Sequence, residues 1–479
     1  MQRVILVILV FISVYTQKIT VEHLKDDLKT LKEIYYESGV GFWHNSYSAF
    51  DSVFNNVEHS ITEPLTSLEF FRYVAPIVAF TKEGHSFIRP SIATENYLQE
   101  NHRYFPFIVK IIEKRVYLLN DYKDQKLKGL EIKSINSQPI QELLSAFFSY
   151  EPTDGLNNTS KPYWVERRFA IYLSYLFPEA KAYTLEVNGH TEKISGIDGL
   201  NYKDYRALHN ETRELYPSLI YKKPIELKVN KEQNSAILML HSLAFREYKQ
   251  AGINFRNIVD SVFLEIEKHQ VSNLILDLRK NEGGQQEAVD YLLSYLIPKH
   301  ITKYEYVEIS ERSFKLFDYV IDPEKERKKK GFFRKLDKHF YQHYDGRYIA
   351  KEETFKPCKP QTENRFNGQL YVLVGGRTFS GGAAIATLLK NYTNALFIGE
   401  ETGGGYYGNT SGPRLRLTLP HSKLVIGVPL FKFVFKVFKN DVSLGRGLIP
   451  NVYVKHSIKD VLSKVDNELN VAYRLIKKE

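Results

Sequence analysis

The chain has 479 residues, too many for one compact core and enough for two or three domains. Apolar residues at 43% and charged residues at 25% exclude both a disordered chain and a multi-span membrane protein. The formal charge of +10 has one concentration, at Lys325, Arg327, Lys328, Lys329, Lys330, Arg334, Lys335 and Lys338. Glu324, Glu326 and Asp337 dilute that run, so it reads as a solvated face: nucleic acid is not expected as a partner, and weak contact with an anionic membrane is the most it offers.

The first element is a leader. Arg3 precedes an apolar run from Val4 to Val14 interrupted only by Ser13, which is too short to span a bilayer. Val14 and Thr16 serve as cleavage-site residues, so residues 1–16 are expected to be a signal peptide, and the protein periplasmic or secreted. Leu24, Leu28, Leu31 and Ile34 then recur at helical spacing, and Thr66 with Glu69 forms a capping-box pattern ahead of an apolar stretch that reaches Phe80. Residues 17–95 are therefore expected to form a helical domain, with Pro76 kinking its last helix.

Residues 96–200 change to short β-like runs, Phe107 to Ile112 and Val116 to Leu119, followed by Gly129 to Asn136 and a helical stretch from Pro139 to Phe148. This order resembles a peptide-binding PDZ module, in which Ser137 stands where a Gly is usual. From 210 to 479 strands alternate with amphipathic helices: Ser235 to Leu240, Arg256 to His269, Leu274 to Leu278, Glu287 to Leu296, Leu370 to Val374, Gly381 to Asn391 and Leu396 to Ile398. Such alternation argues for an α/β core, interrupted by an insertion at about 305–362. The single cysteine, Cys358, permits no intrachain disulfide and no thiolate metal cluster, and no His-Glu-x-x-His spacing replaces one. No cofactor or metal is expected.

Two glycine-bearing turns carry the chemistry. In Thr378-Phe-Ser380-Gly381-Gly382, Ser380 falls where a buried strand gives way to a helix whose unpaired N–H groups can stabilise an oxyanion. About a hundred residues earlier, Asp277-Leu-Arg279-Lys-Asn281-Glu-Gly283-Gly284 makes a second strand-to-loop turn. Its Gly283 or Gly284 N–H, with that of Gly381, would complete a two-donor hole.

These motifs, with Gly399-Glu400-Glu401-Thr402-Gly403-Gly404 and Gly445-Arg-Gly-Leu-Ile-Pro450-Asn451, resemble the core of the C-terminal processing and tricorn-type serine peptidases. The resemblance implies a crotonase/ClpP-like core of ββα units, a polypeptide substrate and an acyl-enzyme at Ser380. Gly405 stands where the Ser-Lys branch places its lysine, which points to the tricorn-like Ser-His branch. There the resemblance implies His85 as general base and an acid near the Gly-x-x-Pro segment, for which Asp441 is the nearest match. Ser86, Asp277 and Glu401 are supporting candidates. Gly84 and Asn451 depart from the family pattern, which has Ser before the His and Asp after the Pro. The alternatives within the same fold are a catalytically inactive peptide-binding protein and an apolar-ligand carrier.

Overall fold

The computed structural model describes residues 17–38, 40, 42–190, 192–216, 219–309, 319–321, 341–344, 347–351, 354 and 356–477. The expected leader and the Lys-rich run lie outside the described residues.

Three helices open the described chain, Val21–Ser38, Tyr47–Ser60 and Ser67–Phe80. Leu24, Leu28, Leu31 and Ile34 are all at most 2% exposed, so the helical periodicity marks a genuine inner face. The Thr66–Glu69 capping box is formed in both directions, and the helix it starts continues through Pro76. None of the described helices is long and apolar enough to cross a membrane.

A six-stranded antiparallel sheet follows, built from Val109–Ile112, Arg115–Leu118, Glu131–Ile135, Gln138–Pro139, Ala182–Val187 and Ile194–Asp198. Asn136 and Ser137 form the tight turn inside it at φ 49° and 64°. Two successive left-handed residues suit a two-residue hairpin and explain why Gly is usual there. The opening helices and this sheet do not have separate interiors. Leu24, Phe50, Phe71, Val116, Leu185 and Ile426 belong to one continuous apolar cluster.

The α/β core is a six-stranded sheet in the order Val452–Tyr453, Leu396–Gly399, Gln369–Val374, Asn273–Asp277, Ser235–Leu240, Ile225–Asn230, parallel except for the last strand. Helices Phe255–Lys268, Gln286–Ser294 and Gly381–Tyr392 cover one face, and Asn467–Ile476 packs on the other. In the central pair Asp277 is level with Leu373. The loops that follow both strands therefore leave the same edge of the sheet, the edge at which parallel α/β sheets place their sites.

A third, antiparallel sheet stands beside this edge. Its long hairpin Gly408–Thr418 and Val425–Phe435 also pairs with Phe87–Arg89 and Tyr304–Ile309. Pairing of Phe87 with Gly427 carries the preceding residues, Gly84 to Ser86, to the rim of the core.

Candidate active site

The two glycine-bearing turns meet at the sheet edge. Asn281 is wholly buried and ties them together: its side-chain N–H donates to Leu240 O (2.9 Å), its Oδ1 accepts from Gly283 N (2.9 Å), and its carbonyl accepts from Phe379 N (2.9 Å). Thr378 Oγ1 donates to Leu278 O (2.9 Å), which fixes the second turn to the first strand. The spacing Asp-Leu-Arg-x-Asn-x-Gly-Gly is thus a list of anchors for one loop.

Ser380 precedes helix Gly381–Tyr392 at φ 52° and ψ −120°, a conformation that strains any residue with a Cβ. Its hydroxyl does not cap the helix. The turn presents the side chain to a cavity of about 1000 Å³ rather than to its own backbone. Among the described residues, neither Gly284 nor Gly381 donates its N–H within the chain, whereas the Gly283 N–H is taken by Asn281. The free donors beside Ser380 are therefore Gly284 and Gly381. Gly283 serves differently: at φ +98° it brings its Cα so close that a Cβ would lie 2.7 Å from both Gly381 N and Ser380 Cβ. Gly283→Ala is expected to lower kcat by about 100-fold or more through displacement of that donor pair, measurable on any cleaved peptide.

His85 lines the same cavity, its ring 4.8 Å from that of Phe379, the neighbour of Ser380. His85 and Ser380 are not hydrogen-bonded to each other, and the His85 Nδ1 is buried without a hydrogen-bond partner. Its nearest carboxylate is Asp154, with Oδ1 4.0 Å from Nδ1. Asp154 is itself held by the N–H groups of Gly84 (3.0 Å) and Gly405 (3.3 Å). Gly84 has no room for a side chain: a Cβ would lie 2.6 Å from Asp154 Oδ1 and 2.8 Å from the Phe379 ring.

Burial sets the protonation of this group. It pushes Asp154 up to about 7 despite the two N–H donors, and it pushes His85 down to about 3, with Arg414 acting in the same direction and the Thr410 backbone against it. Glu83, behind Ser86, rises to about 8, chiefly by burial; the Ser86 hydroxyl, which donates to it at 3.1 Å, works the other way. A folded-state value raised above the unfolded one means that stability is greatest at low pH and is lost as pH rises through the folded value. Glu83→Gln is therefore expected to raise Tm at pH 9 by about 2 °C or more, with a smaller effect at pH 4, in paired thermal melts.

The remaining candidates are structural neighbours of the site. Asp441 does not meet His85. Its carboxylate pairs with Lys390 Nζ at 2.8 Å and its side chain is 61% exposed. Lys390 lies near the far end of the helix that Ser380 begins, about 15 Å along its axis. Asp277 chelates Arg279, which also binds Asp466 and Glu468; burial acts against the Asp277 charge, and the guanidinium more than offsets it, holding the carboxyl at about 2. Glu401 grips Arg446 with both oxygens and accepts from Gly447 N (2.8 Å), while Thr402 Oγ1 accepts from Leu448 N (2.8 Å) and Gly404 N donates to Thr378 O (3.0 Å). These bonds brace the nucleophile turn against the Gly-x-x-Pro segment. Asn451 accepts from Phe397 N at 2.8 Å through its Oδ1, a task for which an amide oxygen replaces a carboxylate.

Asp154 had no signature in the sequence. It sits in a loop of the second region, remote in the chain from both Ser380 and His85, and only the folded arrangement brings it beside the imidazole.

Comparison with known proteins bears on the fold. Residues 234–454 match the model of peptidase family S41. No curated protein sequence matches the chain. Among solved structures, mature CPAF superposes with a TM-score of 0.63 at 12% identity, covering 95% of this chain and 97% of that one. CPAF complexed with lactacystin gives 0.64 at 12% identity, covering 96% and 98%. The photosystem II D1 C-terminal processing protease aligns over 95% and 97% at 12% identity with a TM-score of 0.40.

Proposed function

We propose, from the match of residues 234–454 to the model of peptidase family S41, that the chain is a serine-type peptidase that cleaves polypeptides through an acyl-enzyme at Ser380 with His85 as base. The observation that carries this reading is the strained, uncapped Ser380 beside two undonated N–H groups in the cavity that His85 also lines.

The chemistry follows from the positions. Ser380 Oγ adds to the scissile carbonyl while His85 takes its proton at the ring nitrogen turned away from Asp154, Nε2. The N–H groups of Gly284 and Gly381 receive the oxyanion. Collapse of the tetrahedral adduct breaks the C–N bond, and the same His85 proton goes to the departing amine. Water then repeats the sequence on the acyl ester. His85 must first move onto Ser380, a rearrangement that bound substrate can induce, since catalytic hydrogen bonds are often loose in an empty site. Asp154 is the carboxylate placed to hold Nδ1–H once the imidazolium forms. The expected leader directs the enzyme to an exported location, and the β-rich region, through the Asp154 loop, contributes directly to the site.

The test is mass spectrometry of the purified protein after exposure to a fluorophosphonate, together with incubation on an unstructured polypeptide. A single adduct on Ser380 with new termini in the polypeptide supports the peptidase. No adduct and no new termini, with peptide present, would move the reading to a binding protein. The apolar-carrier alternative fits the cavity poorly, because Arg89, Arg168, Arg206, Arg414 and Arg416 all line it.

A further inference from the structure

The cavity wall beside His85 carries a charge imbalance that the hydrolytic chemistry does not use. Strands Phe87–Arg89 and Gly408–Thr418 flank Val425–Phe435 on its two edges, and the register sets Phe87 and Arg416 on either side of Gly427. The Phe87 ring lies over that glycine, where a Cβ would be 2.0 Å from it. The Arg89 and Arg416 guanidiniums lie 5.3 and 6.0 Å from the ring centroid. Arg414, two residues along the same strand, donates to the His85 carbonyl at 3.3 Å.

All three arginines line the cavity that contains Ser380, and all three are exposed to its solvent. Among the described residues none of them has a carboxylate within ion-pair distance. Two acids that line the same cavity are engaged elsewhere: Glu151 by Arg168 and Tyr172, Glu282 by Arg167 and Arg377. Glu95 faces Arg89 without pairing with it. Arg416 and Arg89 crowd Arg414 closely enough that, after burial, they are what disfavours its charge. Like charges held this close are relieved by an anion, and planar guanidiniums match a carboxylate in both charge and geometry.

We propose that Arg89, Arg414 and Arg416 form a subsite that binds a carboxylate of the substrate polypeptide, set beside His85 by the pairing of the three strands. This rests on the peptidase reading of the cavity and adds a substrate class to it. The carboxylate is that of an Asp or Glu side chain or that of the chain terminus, and the two sources are separable.

The experiment measures fluorescence-anisotropy Kd values of Ser380→Ala protein for matched peptides, so that the result does not depend on turnover. One series carries Glu or Gln at successive positions, and each peptide is made as free acid and as amide. Tighter binding of one charged form by about tenfold at low ionic strength, shrinking with added salt, is expected. A Glu-over-Gln ratio assigns the side chain and an acid-over-amide ratio assigns the terminus. Arg416→Gln and Arg89→Gln should each pull that ratio towards one, and Arg416→Glu should turn the preference to Lys-bearing peptides; ratios within one variant cancel any loss of folded protein. A ratio near one in the parent protein, a ratio that the arginine variants leave unmoved, or no binding of any peptide would overturn the subsite. Fluorophosphonate labelling of Ser380 in the unsubstituted protein reports separately on the peptidase reading.

Discussion

Ser380→Ala is expected to abolish peptide hydrolysis and fluorophosphonate labelling while leaving the fold in place, a loss of about 10⁶-fold in kcat if the residual hydrolysis is that of a site without its nucleophile. The physical reason for the separation is that the Ser380 hydroxyl makes no helix-cap hydrogen bond whose loss would loosen the turn. Ser380→Gly should go further and raise stability. At φ 52° and ψ −120° a Cβ is strained, and glycine removes that strain, worth about 1–3 kcal/mol less the extra freedom of the unfolded chain. The informative pair is therefore Ala and Gly at one position: both inactive, with Gly melting above Ala. If Gly melts below Ala, the turn is not strained and its geometry needs another explanation. If Ser380→Ala retains hydrolysis, the nucleophile is elsewhere.

The parts of this site that were legible in the sequence are those whose chemistry is local. The helix of Leu24, Leu28, Leu31 and Ile34, the capping box at Thr66 and the buried strands of the core are written in spacing alone. The two glycine-bearing turns could be found because their residues are consecutive and each backbone contact needs a particular small or amide-bearing residue, as Asn281 and Gly283 illustrate. What the sequence could not show was which distant faces pair. The shared interior of the opening helices with the antiparallel sheet depends on contacts such as those joining Leu24, Leu185 and Ile426 in one cluster, far apart along the chain. Asp154 was hidden for the same reason. An acid in a polar loop has no periodicity, and nothing near it in sequence marks a histidine seventy residues upstream. Asp441 lies near the Gly-x-x-Pro segment in sequence, yet Lys390 is the cation it reaches in the fold.

Asp154→Asn is expected to lower kcat by about 10³–10⁴-fold, because an amide can keep the loop packed but cannot stabilise an imidazolium at Nδ1. Asp441→Asn should change kcat by no more than about twofold, since its side chain is largely exposed and its partner is a lysine at the far end of the nucleophile helix. Burial keeps His85 neutral through the neutral range, so the base is available; burial also holds Asp154 protonated until about 7, so the carboxylate needed opposite Nδ1 appears only as pH rises through that value. Activity should climb across a limb near 7 that belongs to the Asp154–His85 pair, and Asp154→Asn should remove the limb along with most of the rate. Stability moves the opposite way. Because the folded carboxyl titrates above its unfolded value, ionisation at pH 8 works against the fold, and the Asn variant should melt higher than the parent at pH 8 with a smaller difference at pH 4. A variant that is slower yet more heat-stable in alkaline solution is what a buried orienting carboxylate produces. Equal loss of rate and stability would instead mark Asp154 as a packing residue, and a large loss in Asp441→Asn would mean that substrate binding rebuilds the loop around Lys390.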